Sequence, residues 1–292
     1  MVTVEAGGLD RGDPSAIAAD QFEAVSDGQR SRAARRGKLD VARALVLVAW
    51  LGSWQLVGAG HILNTTFISY PTQIAGVLYH GVIQGSYWGP LAGTLYETFT
   101  GFALAAVLGI IAGALLHQFE FLYDVSRPFI TAINSVPRIA LAPLFVLWFG
   151  LGSMSRIVLV FSLAFFIVQS GAYAGLSSVD SDLLLLARLL GASKTEIFRK
   201  FTFPAAVPSI FAGLQLALIY SFLGAVVGEM LGGTQGLGAQ LQLAESLFNT
   251  PEFFSELAVL LVITLVIAAL IRQVERRLLR WRVVELRMAG KG

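Results

Sequence analysis

Six long apolar runs dominate this sequence and restrict the folds that it can adopt. Five of them have at least the roughly 20 residues that an α-helix needs to cross a hydrocarbon layer of about 30 Å. The sixth is shorter and can be extended by Phe253 and Phe254. A helix satisfies its backbone hydrogen bonds internally, which is the condition for crossing lipid. We therefore predict an all-α integral membrane protein of about six transmembrane helices, at residues 41–60, 93–116, 129–149, 157–176, 209–231 and 257–271.

The composition agrees with a membrane protein and argues against several other functions. Of the 292 residues, 55% are hydrophobic and 14% are charged, whereas about 25% are charged in an ordinary soluble domain. The sequence has no cysteine, its three histidines are scattered, and no catalytic cluster is visible at membrane depth. The net charge of +2 gives no reason to expect nucleic-acid binding. We expect neither an enzyme nor a metal or cofactor site on this chain.

Lysine and arginine are distributed unevenly between the ends of these runs. Seven basic residues precede residue 44, four lie in the loop 177–206, and seven follow residue 271. The loops 61–92 and 232–254 contain none. By the positive-inside rule, both termini and the loop 177–206 are predicted to be cytoplasmic.

The terminal segments differ from the apolar part of the chain. Residues 1–38 are polar, and their apolar residues follow no helical or strand periodicity. This pattern predicts a disordered, basic cytoplasmic tail. No apolar stretch follows the first methionine, so we expect no cleavable signal peptide. Residues 39–282 are predicted to form the six-span domain, and residues 283–292 a C-terminal cytoplasmic tail.

The stretch 183–208 is the longest charged interval between two apolar runs, and we call the loop 177–206, which contains most of it, the elbow. Ser193 and Glu196 have the spacing of a capping box, in which each side chain bonds the other residue's backbone N–H. Glu196 and Lys200 are four apart and form a pair on one helix face. A short preceding helix, begun by one of the residues 180–182, is predicted to end at Gly191.

Two prolines are predicted to end the elbow. Pro204 and Pro208 precede the fifth apolar run, and a proline interrupts a helix that reaches it. An amphipathic helix–glycine–helix segment between two spans has two possible roles. It either docks on a partner protein or lies on the membrane surface.

The spacing of the elbow resembles a loop in the membrane subunits of bacterial binding-protein-dependent ABC importers. That loop has the form E-A-A-x3-G-x9-I-x-L-P, and the matching positions here are Ala187, Gly191, Phe201 and Pro204. Leu185 and Leu186 replace the glutamate and the first alanine, so a charged contact from that glutamate is not expected.

The resemblance implies that the elbow docks on a separate ATPase subunit. The residues expected to make or shape that contact are Ala187, Arg188, Gly191, Ala192, Ser193, Glu196, Ile197, Phe201 and Pro204. ATP and magnesium are expected on the partner. Lys194 and Thr195 lack the glycine pattern and the strand that a phosphate-binding loop requires.

The resemblance covers about residues 41–282. Within the family, the chain is similar to the nitrate, sulfonate and taurine branch, which also includes thiamine-precursor permeases. The segments that carry it are PRIALAPL from residue 137, WFGLG from residue 148, and Gly228-Glu229 with the later Gly236-Leu237-Gly238. It implies a homodimer in the bacterial inner membrane, with two ATPase subunits and an extracytoplasmic solute-binding protein. Together they would import a small nutrient by alternating access.

Polar residues inside the apolar runs are candidates for the translocation path, because charge in the bilayer is costly. The candidates are Asn134, Arg138, Gln169, Tyr173 and Glu229. Glu97 and Glu229 lie near the outer ends of their spans, where we expect solvation to be cheap and their role to be structural or gating.

Two features predict how the spans pack. Gly101, Ala105, Gly109 and Gly113 recur every four residues, which favours close helix packing within the subunit, or alternatively a dimer contact. Pro137 interrupts the third run, which we expect to be a broken helix.

A secondary transporter or channel that works without an ATPase is the alternative function. Such a protein is expected to show inverted repeats or paired buried charges across spans. The sequence indicates neither feature.

Overall fold

The structure is a computed structural model that describes residues 39–60 and 67–278. The chain divides into two compact units, Met1–Leu63 and Asn64–Gly292. The described part of the first unit is one helix, α1 (Leu39–Ala59), which is long and apolar enough to cross a membrane. The predicted tails 1–38 and 283–292 lie outside the described residues.

The second unit contains the remaining described helices. They are α2 (Pro71–Gln84), α3 (Trp88–Gln118), α4 (Glu120–Ser135), α5 (Ala142–Phe149), α6 (Ser153–Leu176), α7 (Ser181–Leu189), α8 (Lys194–Ile197), α9 (Phe203–Gly232), α10 (Leu237–Ser246) and α11 (Thr250–Leu278). Across both units, five helical segments could each cross a membrane, and the bent pair of α4 with the segment Arg138–Phe149 makes up to six. The predicted all-α membrane fold is confirmed.

The third span is broken where the sequence places a proline. Val136 and Pro137 are extended, with ψ of 128° and 97°, because a residue before proline is restricted to extended conformations and proline itself removes a backbone donor. The helical segments on either side meet at 80°. The prediction of a broken helix is confirmed.

The core of the second unit is formed by α3, α6 and α9. The small residues of α3 face α6, and a Cβ added at Gly101 would lie 2.9 Å from the backbone oxygen of Ile157. Ala105 is fully buried between them. Small side chains therefore let the two helix backbones approach closely. The small-residue ridge packs within the subunit, as predicted.

The segments 61–92 and 232–254, which we expected to be loops, each contain a helix. In the described part, α2 begins with Pro71 in its first turn and ends at Gly85 with φ of 79°. A search for runs of about 20 apolar residues does not detect these helices, which have 14 and 10 residues. Both α2 and α10 pack against α11.

The prediction that Pro204 and Pro208 end the elbow is wrong. One helical path runs from Lys194 to Gly232. Pro204 lies in the first turn of α9, where a missing N–H is tolerated, and a π-helical turn (Phe198–Thr202) leads into it from α8. Pro208 lies inside α9, and helices that cross membranes tolerate proline when neighbouring groups bond the freed carbonyl.

Gly113→Ala should lower the midpoint of thermal unfolding of the purified protein in detergent. The added Cβ would lie 2.7 Å from Gln169 O and 3.0 Å from Tyr173 N, backbone atoms that cannot rotate away. Overpacking of this kind costs about 1–3 kcal/mol. Gly93→Ala on the same helix is the matched control, because nothing lies within 4 Å of its added Cβ. A Gly113→Ala midpoint at or above that of the control would contradict the packing.

Candidate functional site

The elbow joins α6 to α9 through α7, α8 and the π-helical turn. Its first helix, α7, begins at a side-chain cap, in which Asp180 Oδ1 accepts the N–H of Asp182 at 2.8 Å. The cap lies within the range 180–182 that the sequence predicted. Because a cap satisfies an otherwise unpaired backbone donor, it fixes where this short helix starts.

Gly191 ends α7 and turns the chain. Its φ is +84°, a conformation that favours glycine. The N–H of Gly191 donates to Arg188 O and the N–H of Ala192 donates to Ala187 O, each at 3.0 Å. This pair of bonds is a Schellman motif, which satisfies the last carbonyls of the helix. The bend between the two helices of the elbow is therefore fixed by backbone hydrogen bonds.

The predicted capping box at the start of α8 is confirmed. The Ser193 N–H donates to Glu196 Oε2 at 3.0 Å, and the Glu196 N–H donates to Ser193 Oγ at 3.3 Å. Lys200 Nζ also lies 3.1 Å from Glu196 Oε1, as the four-residue spacing predicted. The second helix of the elbow thus has a defined start and continues directly into α9.

The elbow buries two of its apolar side chains and exposes most of the large ones. Ala187 and Ile197 are buried, and Phe201 and Pro204 are half-buried. Leu189 is 76% exposed. The other large apolar side chains of this segment that are exposed are Leu183, Leu185, Leu186, Leu190, Phe198 and Phe203. An exposed apolar surface of this kind is typical of a segment that contacts another protein or the membrane.

A buried polar cluster lies at the C-terminal end of α9, opposite the elbow. Arg156 Nη2 on α6 lies 2.7 Å from Glu97 Oε1 on α3, and Nε donates to the same oxygen at 2.8 Å. Glu97 is 2% exposed and Arg156 is 5% exposed. The expectation that Glu97 is solvated is wrong, because α10 and its preceding turn fold over this end of the spans.

Glu229 belongs to the same cluster and is equally buried. Its Oε2 accepts the Thr94 hydroxyl at 3.0 Å and the Gly238 N–H at 2.8 Å, while the Leu237 N–H donates to Thr94 Oγ1 at 3.0 Å. Gly236 has φ of +108°, and a Cβ there would collide with the Glu229 carboxylate. The glycine-rich stretch 232–238 therefore wraps around this carboxylate and anchors α10.

Two of the predicted path residues lie together. Arg138 Nη1 donates to Ser162 O at 3.0 Å, Nη2 donates to Asn134 Oδ1, and the guanidinium carbon lies 4.4 Å from the centre of the Phe166 ring. Arg138 and Asn134 line a cavity of about 490 Å³ between the broken third span, α6 and α9. No carboxylate among the described residues forms an ion pair with Arg138.

The other three path candidates are placed elsewhere. Gln169 is buried, and its Oε1 has no hydrogen-bond partner. The ring of Tyr173 stacks on Tyr123 at a centroid distance of 4.3 Å. Glu229 lies in the buried cluster with Thr94. Spacing in the sequence did not show which helix faces meet, so it could not separate these groups.

Sequence reasoning missed the role of Arg156. This residue directly precedes the predicted span 157–176, and the sequence pattern assigns it no role. The expectation that no buried charges on different spans are paired is therefore wrong, because Glu97 on α3 and Arg156 on α6 form such a pair. The available signal was the occurrence of opposite charges near the same ends of neighbouring apolar runs, since buried charges are usually paired.

The chain is similar to known transport proteins over most of its length. The family model "Binding-protein-dependent transport system inner membrane component" matches residues 105–280. The riboflavin transport system permease protein of Chloroflexus aurantiacus is 32% identical, over 83% of this chain and 89% of that protein. The taurine transport system permease protein of Escherichia coli is 28% identical, over 80% of this chain and 87% of that protein.

A solved structure has the same fold. A chain of a methionine ABC transporter in an inward-facing conformation matches with a TM-score of 0.57 and 21% identity. The match covers 64% of this chain and 94% of that chain. The helical arrangement of the second unit is therefore one that occurs in transporter subunits.

Arg156→Met should strongly destabilise the protein, because it leaves the buried Glu97 carboxylate without its partner. Removing one member of a buried ion pair costs about 3–5 kcal/mol. The double variant Glu97→Gln, Arg156→Met should recover most of the lost stability, measured as the midpoint of thermal unfolding in detergent. Lys200→Met, which removes an exposed partner, serves as the control. A double variant as unstable as Arg156→Met would contradict the role of the pair.

Proposed function

The chain belongs to the family of inner membrane components of binding-protein-dependent transport systems, and we propose that its elbow is the surface through which a separate ATPase drives transport. The protein is a permease subunit of an ABC importer and not itself a catalytic enzyme. The observation that carries the proposal is the rigid elbow with exposed leucines, of which Leu189 is 76% and Leu190 is 80% exposed.

The continuous helix after the bend suggests how motion of the elbow reaches the spans. The helical path Lys194–Gly232 has 39 residues, and at 1.5 Å per residue it is about 58 Å long. It packs against α6 and α3, and its far end carries Glu229 in the buried cluster. We infer that ATP binding by the partner favours one position of the elbow and so shifts the spans between two states.

The proposed assembly contains the partners that the family implies. Two ATPase subunits, which hold ATP and magnesium, bind the elbows of two copies of this chain on the cytoplasmic side. A solute-binding protein delivers a small nutrient on the other side. The uneven distribution of basic residues supports this orientation, with both termini in the cytoplasm.

We also propose that the cavity at Arg138 is part of the translocation path. A guanidinium has five N–H donors and no acceptor, and here it has no carboxylate partner among the described residues. The cavity in front of this guanidinium therefore suits a small molecule with an anionic group. Taurine, which the name of the Escherichia coli relative gives as its substrate, carries a sulfonate of this kind.

Family membership favours this function over a secondary transporter or channel that works without an ATPase. Reconstitution into lipid vesicles, with the solute-binding protein added on the outside, distinguishes these two functions. Uphill transport should require the ATPase subunits and ATP. Uphill transport by this chain alone would contradict the proposed function.

Replacing both Leu189 and Leu190 by serine should abolish co-purification of the ATPase subunits without reducing the amount of folded permease. The change removes apolar surface that is exposed in this chain, so the fold does not depend on it. Leu247→Ser is the control, because that leucine is 67% exposed and follows α10, away from the elbow. Undiminished ATPase binding by the double variant would show that the elbow is not the docking surface.

Arg138→Gln should lower uptake of the transported solute at least about tenfold, which corresponds to about 1.4 kcal/mol. Arg138→Lys keeps the positive charge, so it should reduce uptake less than Arg138→Gln does if that charge contacts the solute. Uptake into whole cells is measured with aliphatic sulfonates, nitrate and pyrimidine thiamine precursors as the panel of solutes. Co-purification of the ATPase is the control and should be unchanged. Full uptake by Arg138→Gln would exclude Arg138 from the path.

A further inference from the structure

A polar cavity of about 480 Å³ lies between α2, α10 and the start of α11. These elements follow the C-terminal end of α9 or precede α3, so the cavity is at the opposite end of the spans from the elbow. The side chains that define its chemistry are Gln73, His80, Tyr87, Gln240, Glu252 and Glu256. Its volume is in the range of small-molecule sites.

Glu256 is the most unusual residue of this cavity. It is 1% exposed, yet its Oε2 has no hydrogen-bond partner. A buried polar group normally has a partner, and an unpaired buried carboxylate is especially costly. Because this side chain lines the cavity, the space in front of it is where a partner would lie.

A second carboxylate and a second unpaired acceptor face the same space. Glu252 is one helical turn before Glu256, and like charges at this spacing repel each other. Asn249 Nδ2 donates to Glu252 Oε2 at 2.6 Å but leaves Glu256 without a donor. Gln240 Oε1 is also buried without a hydrogen-bond partner. The cavity therefore offers acceptors that lack a donor.

The surrounding chain contains no lysine or arginine to neutralise this charge, and His80 is the one side chain lining the cavity that can carry a positive charge. Residues 44–126 and 201–271, which include α2, α10 and the part of α11 that forms the cavity, have neither lysine nor arginine. The hydroxyl of Tyr87 is engaged with Ser255 Oγ at 3.1 Å. The single imidazole of His80 can neutralise one of the two carboxylates at most, so a charge that balances both has to come from another molecule.

We propose that this cavity binds a small organic cation through an ammonium group that pairs with Glu256 and Glu252. An ammonium group has three donors and no acceptor, which matches the two carboxylates and Gln240 Oε1. The described residues contain no group of three or more histidine, cysteine, aspartate or glutamate side chains that could hold a metal ion. The cavity is also larger than a single ion requires. This site is separate from the elbow and from Arg138.

Binding of 1,4-butanediammonium chloride to the purified full-length chain in detergent tests the proposal. The diammonium should raise the midpoint of thermal unfolding in a saturable manner. 1,4-Butanediol, which has the same length without charge, and calcium chloride, which has the same charge without the ammonium group, should not. No ATPase or binding protein is present, so a negative result here does not bear on the proposed transport function.

Three isosteric variants localise the binding. Glu256→Gln should weaken the apparent affinity for the diammonium at least tenfold, and Glu252→Gln should weaken it to a smaller extent. Glu245→Gln, at an exposed position of α10 outside the cavity, is the matched control and should bind as the unchanged chain does. The proposal is overturned if the diammonium gives no shift, if calcium gives the same shift, or if Glu256→Gln binds the diammonium normally.

Discussion

The close approach of α3 to α6 is the interaction on which the rest of this structure depends. Glycines 101, 109 and 113 bring the two backbones within a distance that no larger side chain permits. On the other side of α6, Gly171 and Gly213 allow the same approach to α9. Apolar side chains gain little from leaving lipid for a protein interior, so packing at short distance has to hold such helices together.

This packing fixes the positions of both ends of α9. At one end, the Glu97–Arg156 pair and Glu229 form a buried polar cluster, which exists only because α3, α6, α9 and α10 meet there. At the other end, α9 continues without a break into the elbow. Such an arrangement connects the elbow, which is the proposed docking surface, to a buried polar cluster across the whole length of the spans. The proposed alternating access requires this kind of connection.

The elbow combines a rigid backbone with an apolar surface that this chain does not cover. Its hydrogen bonds are local, since the Schellman motif at Gly191 and the capping box at Ser193 each involve residues within five positions. Local bonds keep the shape of the segment independent of a partner. A partner can then bind the exposed leucines without the cost of ordering the segment, which favours association.

The sequence by itself determined the membrane class, the approximate spans, the break at Pro137, and the caps and glycine turn of the elbow. Each follows from interactions within about 20 consecutive residues: apolar length, proline chemistry, capping and glycine conformation. Only the tertiary structure decided that Arg156 pairs with Glu97, that Glu229 is enclosed by the turn before α10, and that Arg138 lies apart from Gln169 and Tyr173. It also decided that Pro204 continues a helix that local rules would end. These outcomes depend on which faces of distant helices meet, and hydropathy records how apolar a segment is but not the direction in which its side chains point.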